Sequence, residues 1–214
     1  MNNHAFPSVQ RGRIFLMVIV AMLAVAAGLL TANRMMQKTA EYRALQAFPA
    51  PRAVADFALE TADGEPFSMA QLRGHWNLLF FGFTNCPDVC PDTLAMLDQS
   101  MEQLALMRRE NLPQVIFVSV DPARDQGEAL GEYVSWFNED FFAVTGSDPQ
   151  LTALTRQLGV AYFLDEPDPD TGFYNVDHSA AVMVVDPEGR LFGRFPHPLD
   201  PALVTADLFQ LTRS

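Results

Sequence analysis

Two uninterrupted apolar runs, "NLLFFGF" (Asn77 to Phe83) and "QVIFVSV" (Gln114 to Val120), constrain this chain more than any other feature. Each is short, is bounded by turn residues and lacks the alternation of a strand with one wet face. Such runs suit strands buried on both sides, which require covering layers on each face of a sheet. Between them Leu94, Leu97, Met101 and Leu104 recur at spacings of three and four, predicting a helix from Asp92 to about Arg109.

The flanking segments continue the alternation. "DFALETADGEPFSMAQLRGHW" reads as a strand, an Asp63-Gly64 turn, a short strand and a helical turn capped by Ser68 and stopped by Gly74. Residues 126–138 are expected to be helical, "FFAVTG" a strand, and Asp148 the cap of a helix ending at Gly159. "DEPDPDTG" (Asp165 to Gly172) is a loop. "SAAVMVVD", "PEGR" and "LFGRF" form a hairpin, and Asp200-Pro201 opens a last helix. The expectation is an α/β domain over 55–214, a mixed sheet flanked by helices.

The amino-terminal quarter is different. "IFLMVIVAMLAVAAGLL" (14–30) is seventeen consecutive apolar or glycine residues after Arg11 and Arg13. Its length lies at the short end of what crosses a bilayer core. A signal peptide cut near Ala24-Val25-Ala26 competes with an uncleaved anchor; the anchor is favoured because apolar sequence continues past that site. The expected organisation is a cytoplasmic tail (1–13), a transmembrane helix (14–32), a linker (33–54) and an exported domain. No cysteine lies near the end of the segment to carry a lipid, and so short a leader before an anchor points to a bacterial inner membrane with the domain in the periplasm.

Charge divides along the same line. Residues 1–43 hold Arg11, Arg13, Arg34, Lys38 and Arg43 against Glu41 alone, leaving nine basic and twenty-five acidic residues beyond them. A domain that acidic repels phosphate backbones, which argues against nucleic acid as a partner and suits a cation or a cationic surface.

The only two cysteines, Cys86 and Cys90, stand in "FFGFTNCPDVCPDTLAML". Each precedes a proline (Pro87, Pro91), which disfavours helical geometry for the cysteine itself. Pro91 then suits the first helical position with Cys90 as N-cap, where orphan N–H groups are expected to lower the thiol pKa. Lowered pKa serves a metal ligand and a redox nucleophile equally. In an oxidising compartment a bare pair tends toward a disulfide unless reduced or metallated. A structural staple is disfavoured because so small a loop gains little entropic stabilisation. His178, in "NVDHSAAVMVV" just before a buried strand, is a candidate third donor. Two thiolates and an imidazole suit Cu(I), can hold Cu(II) and tolerate zinc.

"FTNCPDVCPDTL", "VSVDPARD" and "VDHSAAVMVVDPEGRL", in that order after an apolar segment, resemble the Sco/SenC copper-chaperone family of cytochrome c oxidase assembly. The resemblance covers roughly residues 55 to 210. It implies a thioredoxin-like fold, a copper ion held by Cys86, Cys90 and His178, and cytochrome c oxidase subunit II as recipient at its binuclear copper centre. Other copper chaperones or thiol reductants are further implied partners. Thioredoxin-like oxidoreductases carry a cis-proline opposite their cysteines; the corresponding "VDHSAA" has none. The competing function is a membrane-anchored thiol-disulfide reductase acting on the recipient's cysteines through Cys86 and Cys90.

Other chemistry-bearing residues have plainer readings. Asp121 and Asp125 in "DPARD" are candidates for a partner or a second ion, against a turn followed by a helix cap. Asp177 is a candidate to orient His178. Met96, Met101 and Met107 are expected in the core at their helical spacing, and His4, His75 and His197 lack partner motifs.

Overall fold

The computed structural model describes residues 8–36, 42–107 and 111–213, with the side chains of the first segment described over 14–29. The chain divides into two units, Met1–Glu41 and Tyr42–Ser214. The first contains one helix, α1 (Ser8–Met36). Among the described residues no helix is long and apolar enough to cross a membrane. A helix does cover the segment read as an anchor, 14–32, and the described residues do not show it as a membrane span. His4, Lys38 and Arg109 lie outside them.

The second unit is built on an eight-stranded mixed sheet. Its strands are β1 (Gln46–Ala53), β2 (Leu59–Thr61), β3 (Pro66–Phe67), β4 (Asn77–Gly82), β5 (Gln114–Ser119), β6 (Phe142–Thr145), β9 (Val182–Val185) and β10 (Arg190–Phe195), and a separate pair is formed by β7 (Tyr162–Leu164) and β8 (Val176–His178). The order is β1-β10-β9-β4-β5-β6-β2-β3. The centre, β4 to β6, is parallel, and β9 returns antiparallel to β4. This is the mixed, helix-flanked sheet that the sequence led us to expect.

Both apolar runs are central strands, and every residue of β4 is buried. Alternate residues face opposite layers. Leu78 and Phe80 join Leu94, Leu97, Leu104, Leu130, Val204 and Leu208 in one core. Leu79 and Phe81 join Leu72, Leu151, Leu154 and Leu158 in the other. The first core is thus covered by α3 (Val89–Leu106), α4 (Gly127–Ser135) and α6 (Pro201–Leu211), and the second by α2 (Met69–Leu72) and α5 (Asp148–Leu158).

Three local differences from the sequence reading have physical causes. Gln46–Ala53, inside the stretch read as linker, is edge strand β1 on β10; its Pro49 and Pro51 are tolerated because an edge strand need not donate every N–H. Helix α5 is capped by Ser147, whose partner is Gln150, one residue before the expected Asp148. Helix α3 begins at Val89, earlier than Pro91, because the first turn of a helix has no intrahelical partner for its N–H groups and so accepts proline.

Candidate metal centre

Parallel strands deliver their carboxyl ends to one edge of the sheet, and β4 runs there into the loop that carries Cys86 before α3 begins. The N–H of Cys86 donates to the Phe83 carbonyl at 3.2 Å, closing a turn. Cys90 lies in the first turn of α3 and is fully buried, while Cys86 is half-buried. The helix N-cap, Asp88, makes no side-chain capping bond. Instead the Cys86 sulfur accepts the otherwise orphaned N–H of Cys90 at 3.4 Å. Packing under this turn requires Gly82: a Cβ there would stand 2.6 Å from the Cys90 sulfur and 2.9 Å from the Phe117 ring.

The antiparallel return of β9 brings the third group. Phe80 of β4 pairs with Val182 of β9, so the chain that precedes Val182 arrives at the carboxyl end of β4. His178 ends β8 in that approach. Its Nε2 lies 3.5 Å from the Cys90 sulfur. One donor atom from each of Cys86, Cys90 and His178 lies within 4.8 Å of the other two. Since a metal–sulfur bond is about 2.3 Å, two donors on one ion stand no more than about 4.6 Å apart, and the cluster is close to that span. The imidazole is held by ring contacts with Phe80 and Phe83, at 6.1 and 6.0 Å between centroids. Its Nδ1 faces the Ser179 carbonyl at 3.3 Å. With Nδ1–H donating there, Nε2 is left as the free donor toward the sulfurs.

Burial governs the protonation of the centre. It pushes the Cys90 thiol well up, reinforced by the Cys86 hydrogen bond and the negative groups of Cys86 and Asp125, and only partly offset by a backbone bond from Phe83. The lowered Cys90 pKa expected from the helix terminus is therefore overturned, because desolvation outweighs the dipole. Burial also pulls His178 down, against the opposing effects of Ser179 and Asp177, so the ring is neutral at neutral pH. A neutral imidazole and two sulfurs form a soft donor set that matches Cu(I) and also zinc. The cleft above them, about 250 Å³, is lined by Phe83, Cys86, Asp88, Val176 and His178 among others. A larger groove of about 370 Å³ lies at the opposite end of β5, beside Met101, Gln114 and Phe141, and contains no cysteine or histidine.

The sequence model of one family, described as SCO1/SenC, matches residues 46–213. The chain belongs to the SCO1/SenC family. It is 40% identical over 134 residues to the mouse mitochondrial protein SCO2 homolog, covering 63% of this chain and 52% of that one, so it spans about half the length of that relative. Among solved structures it is similar to apo Sco1 from Thermus thermophilus, with 38% identity, a TM-score of 0.71, and 81% of this chain and 99% of that one covered. It is also similar to copper-bound ScoI of Arabidopsis thaliana, with 31% identity, a TM-score of 0.68, and 74% and 97% covered.

Within this SCO1/SenC domain the remaining candidates separate clearly. Asp125 is not a helix cap: Gln126 holds that position, and Asp125 is buried, accepting from the Thr84 N–H at 2.8 Å, the Thr84 hydroxyl at 2.5 Å and the Ser119 hydroxyl at 2.6 Å. Asp121 is buried against Arg124 and Tyr174. Asp177 is exposed, on the opposite face of β8 from the ring, and the Ser179 carbonyl takes the orienting place. Met96 and Met101 are buried in the first core, whereas Met107 is 52% exposed. His75 and His197 lie exposed, outside the cluster. Arg124, Tyr174 and Phe83 had no forecast role; only the "DPARD" motif pointed toward the first of them.

Proposed function

We propose that the chain is a copper metallochaperone in which Cys86, Cys90 and His178 hold one copper ion as cargo. The recipient is the binuclear copper site of cytochrome c oxidase subunit II. The observation that carries this reading is the convergence of two free thiols and one neutral imidazole within 4.8 Å, from segments 88 residues apart. The family resemblance supports the recipient, and copper-bound ScoI, similar over 74% of this chain, supports the metal. In the proposed setting the apolar segment 14–32 anchors the chain in a bacterial inner membrane and the domain works in the periplasm; seventeen consecutive apolar or glycine residues support that placement.

Transfer in this reading is ligand exchange. The half-buried Cys86 is the sulfur an incoming thiol reaches first, and the fully buried Cys90 is the last to let go. The test is a competition titration of the reduced chain with Cu(I). His178→Ala is expected to weaken binding by about tenfold or more, the equivalent of ~1.4 kcal/mol or more, with thiol-exchange rates unchanged. Equal affinity in the two proteins would remove the imidazole from the site and end this form of the proposal.

The thiol-disulfide reductase reading draws support from one observation, that the two thiols are free and their sulfurs lie within 4.8 Å of each other. It requires a dithiol potential low enough to reduce the recipient's disulfide, and a more oxidising potential excludes it.

A further inference from the structure

We infer that Asp121, Arg124 and Tyr174 form a clasp that positions His178, fastening the segment that carries the imidazole to the turn that also braces the cysteine loop. The inference rests on the copper-binding reading of the cluster and names positioning residues for it.

The hairpin β7–β8 needs such a fastening. Its strands pair with each other and not with the main sheet. Sheet hydrogen bonds therefore do not fix where His178 stands relative to the cysteines. Tyr174, four residues earlier, makes three contacts with one turn. Its hydroxyl donates to Asp121 Oδ1 at 2.6 Å. Its carbonyl accepts from Arg124 Nη1 at 3.0 Å. Its ring lies 3.7 Å from the Arg124 guanidinium carbon. Arg124 is in turn bound through Nε to the fully buried Asp121. A buried carboxylate is tolerated when paired and hydrogen-bonded, and Asp121 has both partners only while Tyr174 is docked.

The other side of the same turn reaches the thiols. Asp125, whose N–H donates to the Asp121 carbonyl at 3.0 Å, holds Thr84, two residues before Cys86. Phe83 links the two halves: the guanidinium carbon lies 5.7 Å from its ring, and the ring stands edge-on to His178. Five consecutive residues, 121–125, thus set the separation between imidazole and sulfurs. The guanidinium is suited to this because its planar fork bonds a carboxylate and a carbonyl while its face rests on aromatic rings.

The test uses the full chain, kept reduced, in two measurements. In the metal-free protein, Arg124→Gln is expected to speed amide exchange in 162–178 by about tenfold or more while β4 and β5 exchange as before. In a Cu(I) competition titration Arg124→Gln is expected to lose most of the affinity that His178→Ala loses, and the double variant to bind no more weakly than His178→Ala alone. Tyr174→Phe, which removes only the hydroxyl, serves if Arg124→Gln does not fold, with the same signs and smaller sizes. Additive losses in the double variant, or unchanged exchange and affinity in the single ones beside a weakened His178→Ala, would overturn the clasp and leave the copper reading standing. If His178→Ala binds as well as the native chain, the copper reading falls, and the exchange measurement still decides whether the clasp exists.

Discussion

The two sides of the centre are built to different standards. The cysteine side is continuous with the core: β4 is buried throughout, Cys90 has no exposed surface, and Gly82 is pressed against its sulfur. The histidine side is a two-stranded hairpin outside the main sheet, with Phe163 66% exposed and Val176 the buried residue of β8. Opening free energy follows buried contact, so the hairpin opens at a smaller free energy than the strands beneath the cysteines. In the proposed chaperone reading, cargo must be held and also released. Placing the sulfurs on the rigid side and the imidazole on the lightly held side makes the nitrogen the donor that comes and goes.

The largest expected effect breaks the rigid side. Gly82→Ala places a Cβ 2.6 Å from the Cys90 sulfur and 2.9 Å from the Phe117 ring, and both side chains are fully buried. Overpacking of this kind costs about 1–3 kcal/mol, and relief requires moving the first turn of α3. Chemical denaturation is expected to show the loss as a lower midpoint at unchanged slope, together with a weaker copper site. A fully stable Gly82→Ala chain would mean that the cysteine turn yields easily, and the contrast between the two sides would disappear.

A smaller change sharpens the contrast from the other side. Val176 is 3% exposed and belongs to the second core. Val176→Ala removes two methyl groups' worth of burial, about 1.6 kcal/mol of transfer free energy at ~0.8 kcal/mol per group. Its signature is local: amide exchange in 162–164 and 176–178 is expected to accelerate well before global unfolding, with β4 and β5 protected as in the native chain. Uniform acceleration across all strands would make the hairpin part of the same cooperative unit as the sheet.

What could be read in the sequence follows the same division. The central strands were legible because burial on both faces leaves an uninterrupted apolar run, as in Leu78 to Phe81. The antiparallel pairing of β9 with β4, which carries His178 to the sulfurs, was not spelled out there; His178 stood as a candidate third donor from its place just before a buried strand, and the resemblance to Sco/SenC implied its role as a copper ligand. The start of α3 was missed because proline is excluded only from a helix interior, and Pro91 lies in the first turn. The direction of the Cys90 shift was missed for a related reason: a helix N-terminus is visible in a sequence, whereas the depth of burial beneath Gly82 is not. Tyr174 gave no signal at all, since its partners Asp121 and Arg124 lie fifty or more residues away and the loop between is irregular.

The smallest expected effect is a pH dependence that divides between the two sides. Burial raises the Cys90 pKa above its ordinary value of 9.0, so the folded chain keeps a proton that the unfolded chain gives up. That contribution to stability is complete below about pH 9 and is lost as the pH rises toward the folded value. The reduced, metal-free chain is therefore expected to melt lower at about pH 10 than at about pH 8, by roughly 2–4 °C for each kcal/mol lost, and Cys90→Ala should shrink that limb, leaving the part due to Tyr42, Tyr133 and Tyr174, whose pKa values burial also raises. For His178 the sign reverses. Its folded pKa lies below the ordinary 6.5, so the unfolded or opened state binds the proton first, and stability is lost as the pH falls through 6.5 toward the folded value. The readout differs as well. Cys90 cannot meet solvent without disturbing α3 and β4, so its limb belongs to the melting temperature of the whole domain. His178 needs only the hairpin to lift, so acid is expected to accelerate exchange in 162–178 with little change in melting. An acid limb in the melting curve as steep as the alkaline one, and absent from His178→Ala, would show that the imidazole is as firmly built in as the sulfurs.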